Sequence, residues 1–257
     1  MGRTLVNDFV QPLRSGRILV MDGAMGTELQ RLHASPESIH SSYVTASADV
    51  LLTNTFQTHD PTRLHAEWRV AIRAAREAKP RFLVAGVGPV PNLTPSLASA
   101  ILAECRDTDG VVLETWTSFV ELEIFAKARP SDLPMLVSFT FLHDGLATFA
   151  GASPGECARV AEQHGAIAIG ANCGKDIDMD DMRRIVERYR STCALPIFVR
   201  PNAGTPRNGV YPRSPTTMAA QLPALLDAGV TMIGGCCGTT PEHIRAFREV
   251  VDRYAER

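Results

Sequence analysis

Eight short apolar runs punctuate this chain at intervals close to the length of one βα unit, and that spacing constrains the fold more than any other feature. The runs are Ile18–Met21, Val50–Thr53, Phe82–Ala85, Val111–Leu113, Met135–Phe139, Ala166–Ile169, Ile197–Val199 and Thr231–Ile233. Each is followed by a pattern of helical period. A strand and then a helix, eight times over 257 residues, predicts an α/β fold: a single (β/α)8 barrel, or TIM barrel, spanning residues 1–257 as one domain. An open doubly wound sheet shares the alternation and is the alternative, but eight units of similar length favour closure.

Helix signals agree with this reading. Ser153-Pro-Gly-Glu156 is a capping box with Gly165 as the stop. Ser214-Pro215 and Thr240-Pro241 open the last two helices, and Pro223 is expected to kink the first of them. The longest uncharged stretch, Phe82 to Ala103, is interrupted by Gly86, Gly88, Pro89, Pro91, Asn92 and Pro95, so it reads as strand, loop and helix start rather than a membrane span. With 26 Lys+Arg against 28 Asp+Glu and no basic run, the chain offers no electrostatic footprint for nucleic acid or an anionic membrane. The N-terminus, with Arg3 and Asp8, has no apolar core ending in a cleavage site, and a cytoplasmic location is expected.

In a barrel of this kind, chemistry sits at the C-terminal ends of the strands. Those ends read Asp22-Gly-Ala-Met-Gly-Thr27, Thr53-Asn-Thr-Phe56, Glu114-Thr-Trp116, Gly170-Ala-Asn-Cys-Gly174, Pro201-Asn-Ala-Gly204 and Gly234-Gly-Cys-Cys-Gly-Thr239. Glycine, polar residues and cysteine thus collect on one rim. Adjacent side chains of a regular strand face opposite ways, so Cys236 and Cys237 share one metal only if the backbone turns irregularly, which Gly234, Gly235 and Gly238 permit. Together with Cys173 they could form a three-thiolate site with an open fourth position, the pattern of a catalytic zinc. The competing reading is a pair of buried cysteines and an unrelated third; a vicinal disulfide is strained and disfavoured in a reducing compartment. Cys105, Cys157 and Cys193 fall on helices or connections and read as structural.

The motifs DGAMGTELQ, TNTF, GANCG, PNAG and GGCCGTTPEHI together resemble the homocysteine-binding domain of the zinc-dependent homocysteine S-methyltransferases. The resemblance runs from about Ile18 to the last helix. It implies one Zn2+ per chain held by Cys173, Cys236 and Cys237, and methyl transfer from an activated donor to the homocysteine thiolate to give methionine. It further implies that Asp22 and Glu114 face the substrate ammonium and that the amides of the Gly23 to Thr27 turn hold its carboxylate. Thr55 of the TNTF motif joins this substrate-binding set. A strand-end carboxylate paired with Arg200 is the structural alternative for Glu114. Asn172 and Asn202, beside the metal strands, are read as support for the site, as provisional zinc ligands or as backbone caps.

Two departures from the family pattern lie on the rim that would meet the donor. After TNTF the chain runs Gln57-Thr-His-Asp-Pro61 straight into a helix, a trimmed region, and strand four ends ETWTS without the acidic residue that often follows the Glu-Thr pair. The donor is therefore open: a small sulfonium or ammonium compound, or a corrinoid on a separate protein. Two other classes compete, a Schiff-base lyase using Lys175, since Lys79 and Lys127 fall on helices, and a non-catalytic zinc or thiol sensor that lost its donor pocket.

Overall fold

The computed structural model describes residues 5–144 and 146–256. The first four residues of the expected domain, including Arg3, lie outside them. Eight strands form one parallel sheet: β1 Leu19–Val20, β2 Val50–Leu52, β3 Phe82–Val87, β4 Gly110–Trp116, β5 Met135–Phe139, β6 Ala168–Asn172, β7 Ile197–Arg200 and β8 Val230–Ile233. Neighbours pair in chain order from β2 to β8, and β8 pairs with β1 through Leu19 and Met232. A parallel bridge between Met21 and Val50, with Asp22 N donating to Val50 O at 2.9 Å, joins the two ends. The sheet is thus a closed barrel, not the open alternative.

Period-two alternation divides the apolar residues between two cores. Leu19, Met21, Val50, Leu52, Val84, Val112, Leu136, Phe198 and Met232 point into the barrel, and Phe9 and Leu13 of the first helix, α1 Leu5–Arg14, pack into the same cluster. Their neighbours Val20, Leu51, Leu83, Val111, Val137 and Val199 face outward against the helices. Gly170 makes room inside: a Cβ there would lie 2.4 Å from the Phe198 ring. The helical wall comprises α3 Pro36–Thr45, α4 Leu64–Glu77, α5 Pro95–Glu104, α6 Phe119–Ala128, α7 Pro154–Gln163, α8 Met179–Arg190, α9 Pro215–Asp227 and α10 Pro241–Ala255. One further short helix, α2 Met25–Leu32, sits in the loop after β1.

The expected capping box is present, with Ser153 Oγ accepting from Glu156 N and Ser153 N donating to Glu156 Oε2. At Thr240 the box closes through His243, whose Nδ1 accepts from Thr240 N at 3.1 Å. Pro223 lies inside α9, which runs on as one helix to Asp227. The strand expected at Ala166–Ile169 starts instead at Ala168, because Ala166 N is used to close α7 on Ala161 O. Strands β3, β4, β6 and β7 run further than their apolar cores, into Val87, Trp116, Asn172 and Arg200. A parallel ladder continues while its neighbour offers partners, whatever the polarity of the side chain.

One buried group works against the fold. His40, on α3, is fully buried and, among the described residues, neither ring nitrogen has a hydrogen-bond partner. Burial lowers its pKa from 6.5 to about 4. The unfolded chain therefore takes up this proton first, and stability falls as pH drops below 6.5 until the folded pKa is reached, by about 3 kcal/mol in all. Thermal melts between pH 7 and pH 4.5 should show His40→Leu losing less stability than the unaltered chain. Parallel pH slopes for the two proteins would show that His40 is not the proton-linked group.

Candidate metal and substrate site

The three rim cysteines converge. Their sulfurs all lie within 4.8 Å of one another, and Cys173 Sγ is 3.8 Å from Cys237 Sγ. On a regular continuation of β6, Cys173 would follow inward-facing Asn172 and turn outward. Positive φ angles of 56° at Cys173 and 99° at Gly174 break that alternation and swing the thiol toward β8. Cys173 N donates to Arg200 O at 3.1 Å, and Cys236 N to Pro201 O at 2.9 Å, so both metal-side loops hang on the end of β7.

The Gly234-Gly-Cys-Cys-Gly238 turn works as anticipated, though by two different devices. Gly238 has φ +79°, a conformation costly for other residues. Gly234 and Gly235 are instead required by close packing: a Cβ would lie 2.7 Å from Met21 Cβ and 2.2 Å from Thr239 Oγ1 respectively. The ring of Tyr211, from the loop after β7, packs on Gly238 so closely that a Cβ there would be 2.1 Å from its Cγ.

The cluster suits a thiophilic divalent ion. Zn–S bonds of about 2.3 Å in a tetrahedron put sulfurs about 3.8 Å apart, which the Cys173–Cys237 pair already matches. Without a cation the arrangement is unfavourable for thiolates: Cys236 is held well above the ordinary thiol range, first by hydrogen bonding with Cys173 and then by burial. Three thiols that cannot ionise together, held around one point, form a donor set that a divalent cation would relieve. Cys105 and Cys157 are buried elsewhere, and burial raises both thiols.

The cysteines form one wall of a cavity of about 670 Å³ that also exposes Asp22, Gly23, Thr27, Glu114 and Arg200. Five of the expected substrate and support residues therefore need separate description. Glu114 stands two residues beyond inward-facing Val112 and, among the described residues, has no hydrogen-bond donor; Arg200 is its ion-pair partner, with Nη1 3.5 Å from Oε1. Asp22 is already engaged: Oδ2 accepts from Leu52 N at 2.8 Å and Oδ1 lies 3.1 Å from Arg200 Nη2. Burial raises the Asp22 pKa to about 7, against the lowering pull of Arg200. Thr55 is turned into the β2–β3 junction, donating to Gly86 O at 2.7 Å, while its neighbours Asn54 and Phe56 line the cavity. Asn172 is spent on scaffolding: Oδ1 accepts from Thr115 N and Ser138 Oγ, and Nδ2 donates to Thr115 Oγ1. It holds Thr115 at φ 68°, where the β4 register shifts beside Glu114. Asn202 donates to Gly174 O at 3.3 Å and leaves Oδ1 buried, without a hydrogen-bond partner among the described residues.

Helix α2 begins against the same cavity. Its N-cap is Ala24, which supplies no side-chain acceptor for the first-turn amides. Ala24 N itself is taken by Thr239 Oγ1 at 3.1 Å, and Thr27 Oγ1 accepts from Gly238 N, tying the turn to the cysteine loop. The trimmed loop after β2 still contributes Phe56, Gln57 and Thr58 to the wall, with Thr58 O anchored by Trp68 Nε1 at 2.7 Å. Met25 and Phe56 stand within the strand-end motifs without an expected role of their own, and Tyr211 lies outside those motifs. The sequence suggests Arg200 only as a partner for Glu114, although its place two residues beyond inward-facing Phe198 marks it as an interior side chain.

The fold and this rim define a (β/α)8 barrel with a thiol cluster at the strand ends, facing a cavity with carboxylates at its other side. Residues 19–251 match the family model described as homocysteine S-methyltransferase, and the chain belongs to that family. It is 28% identical to the methionine synthase of Mycobacterium tuberculosis over 92% of its own length and 25% of that protein, and 27% identical to that of Mycobacterium leprae. The chain thus spans about a quarter of the length of the curated relatives it matches. The homocysteine methyltransferase MmuM from Escherichia coli, in its apo form, has the same fold: TM-score 0.75 at 22% identity, over 93% of this chain and 99% of that one. Its metallated form aligns with TM-score 0.74.

Proposed function

We propose that this chain transfers a methyl group from an activated donor to the sulfur of homocysteine, giving methionine, with one zinc ion held by Cys173, Cys236 and Cys237. The observation that carries this reading is the pairing, in one cavity, of three convergent thiols with a carboxylate, Glu114, that is ion-paired with Arg200. The relatives' printed descriptions as homocysteine methyltransferase and methionine synthase support it, as does the existence of a metallated form of the Escherichia coli protein.

Bound zinc would supply Lewis acidity that keeps a coordinated thiol as thiolate at neutral pH. The chain's own residues do the rest. Glu114 accepts from the substrate ammonium, and the uncapped amides at the start of α2 receive its carboxylate. With both ends of the amino acid fixed, the sulfur faces one approach path. The methyl carbon forms its bond to sulfur as its bond to the donor breaks, and the thiol proton leaves to solvent. Asn54, Phe56, Gln57 and Thr58 form the wall on the donor side, and a small onium compound or a corrinoid carrier protein is the class of donor. Lys175 is exposed and is not part of the cavity wall, so a Schiff-base lyase would lack its desolvated lysine.

The deciding experiment is a donor screen with homocysteine and zinc-loaded protein. S-methylmethionine, S-adenosylmethionine, betaine, dimethylsulfoniopropionate and methylcobalamin would each be assayed for methionine formation. Turnover with one of them is expected. Tight homocysteine binding without methionine from any donor would leave the chain a thiol sensor.

A further inference from the structure

Two buried carboxylates make a poor receptor for a zwitterion, because the substrate's own carboxylate would be a third negative charge beside two already taken out of water. Asp22, Glu114 and Arg200 are the only charged side chains among the residues that line the cavity, the cysteines apart. Arg200 is 4% exposed and cannot move freely. Its Nε donates to Gly235 O at 3.0 Å and its Nη2 to Gly23 O at 3.2 Å, while the same guanidinium lies 3.1 Å from Asp22 and 3.5 Å from Glu114. Among the described residues its Nη1 has no hydrogen-bond partner. A fixed cation thus stands between the two acids, and the fully ionised trio carries one net negative charge instead of two.

We propose that Arg200 makes this pocket selective for a thiol that bears an α-carboxylate as well as an ammonium. The proposal rests on the homocysteine reading and names what that reading leaves unexplained, namely how an acidic pocket tolerates an acidic substrate. Glu114 recognises the ammonium, the α2 amides receive the carboxylate, and the guanidinium offsets the repulsion between that carboxylate and the two buried acids. Arg200 acts through the field it sets and makes or breaks no bond.

The test compares two thiols: L-homocysteine, and 3-mercaptopropan-1-amine, which keeps the thiol-to-amine spacing and lacks the carboxylate. Dissociation constants would be measured by calorimetry on zinc-loaded unaltered protein, Arg200→Met and Arg200→Lys. In Arg200→Met the preference for homocysteine over the amine should fall by about tenfold or more, through weaker homocysteine binding. Arg200→Lys keeps the charge and should recover most of that preference, which also guards against a methionine variant that fails to fold. An equal loss for both thiols, or an unmoved ratio in both variants, would reduce Arg200 to scaffolding and overturn this proposal alone. Failure of the unaltered, zinc-loaded protein to bind either thiol would overturn the homocysteine reading, and this one with it.

Discussion

Each of the single variants Cys173→Ala, Cys236→Ala and Cys237→Ala will purify without the stoichiometric zinc expected of the unaltered chain, while Cys105→Ala will keep it. A thiolate zinc site is worth roughly 10 to 16 kcal/mol, so each sulfur carries about 3 to 4 kcal/mol, or on the order of 10² to 10³ in affinity. Loss of one sulfur also leaves two thiols that must each give up a proton before they can hold a cation. Cys105 differs in every respect that matters: its sulfur donates to Ile101 O at 3.4 Å and it is not among the residues that line the cavity. The fold should survive the three rim changes, because those thiols belong to neither apolar core, and Cys105→Ala trims a single buried sulfur from the outer core. Elemental analysis after dialysis, with circular dichroism as the fold control, checks this. Stoichiometric zinc in the triple alanine variant would place the metal elsewhere.

How much of this was legible in the sequence depends on the distance over which each feature is determined. The eight strands could be read because each is a short run whose inward and outward faces are both buried, a local property of composition. The cysteine trio could be read because the strand ends of a parallel barrel lie on one rim, the glycines beside Cys236 and Cys237 permit an irregular turn, and the family resemblance singled out these three thiols. The Ser153 capping box is likewise a matter of four consecutive residues. What could not be read depends on which neighbour a polar side chain meets. Asn172 and Thr55 have the composition of site residues, but one is claimed by Thr115 and Ser138 and the other by Gly86, on strands 30 to 60 positions away. Asp22 and Glu114 looked equivalent as carboxylates at strand ends. Leu52 N and Arg200 make them different, and no local pattern announces a guanidinium that reaches across the barrel mouth to both.

That difference fixes the second large expected effect: Glu114→Gln will weaken homocysteine binding by about ten- to a hundredfold while leaving zinc in place, and Asp22→Asn will weaken it less. A charge-assisted hydrogen bond to an ammonium is worth roughly 1.5 to 3 kcal/mol, and on the proposed reading Glu114 makes it, since it lines the cavity and, among the described residues, accepts no hydrogen bond. Asp22 is bonded to the β2 backbone and paired with Arg200, and its Oδ1 is buried. Burial also holds its pKa at about 7, so near neutrality part of its charge is already lost to a proton in the unaltered chain. Replacing it by Asn should therefore cost less ammonium attraction and show mainly as a disturbed β1–β2 junction, with a lower melting temperature. Glutamine at 114 preserves shape and one acceptor oxygen, so its effect isolates the charge. Calorimetric titration of the zinc-loaded variants with L-homocysteine separates the two. An unchanged dissociation constant for Glu114→Gln would make the Glu114–Arg200 pair a structural ion pair, and a larger loss for Asp22→Asn would mean that Arg200 gives way and the ammonium is held from β1 instead.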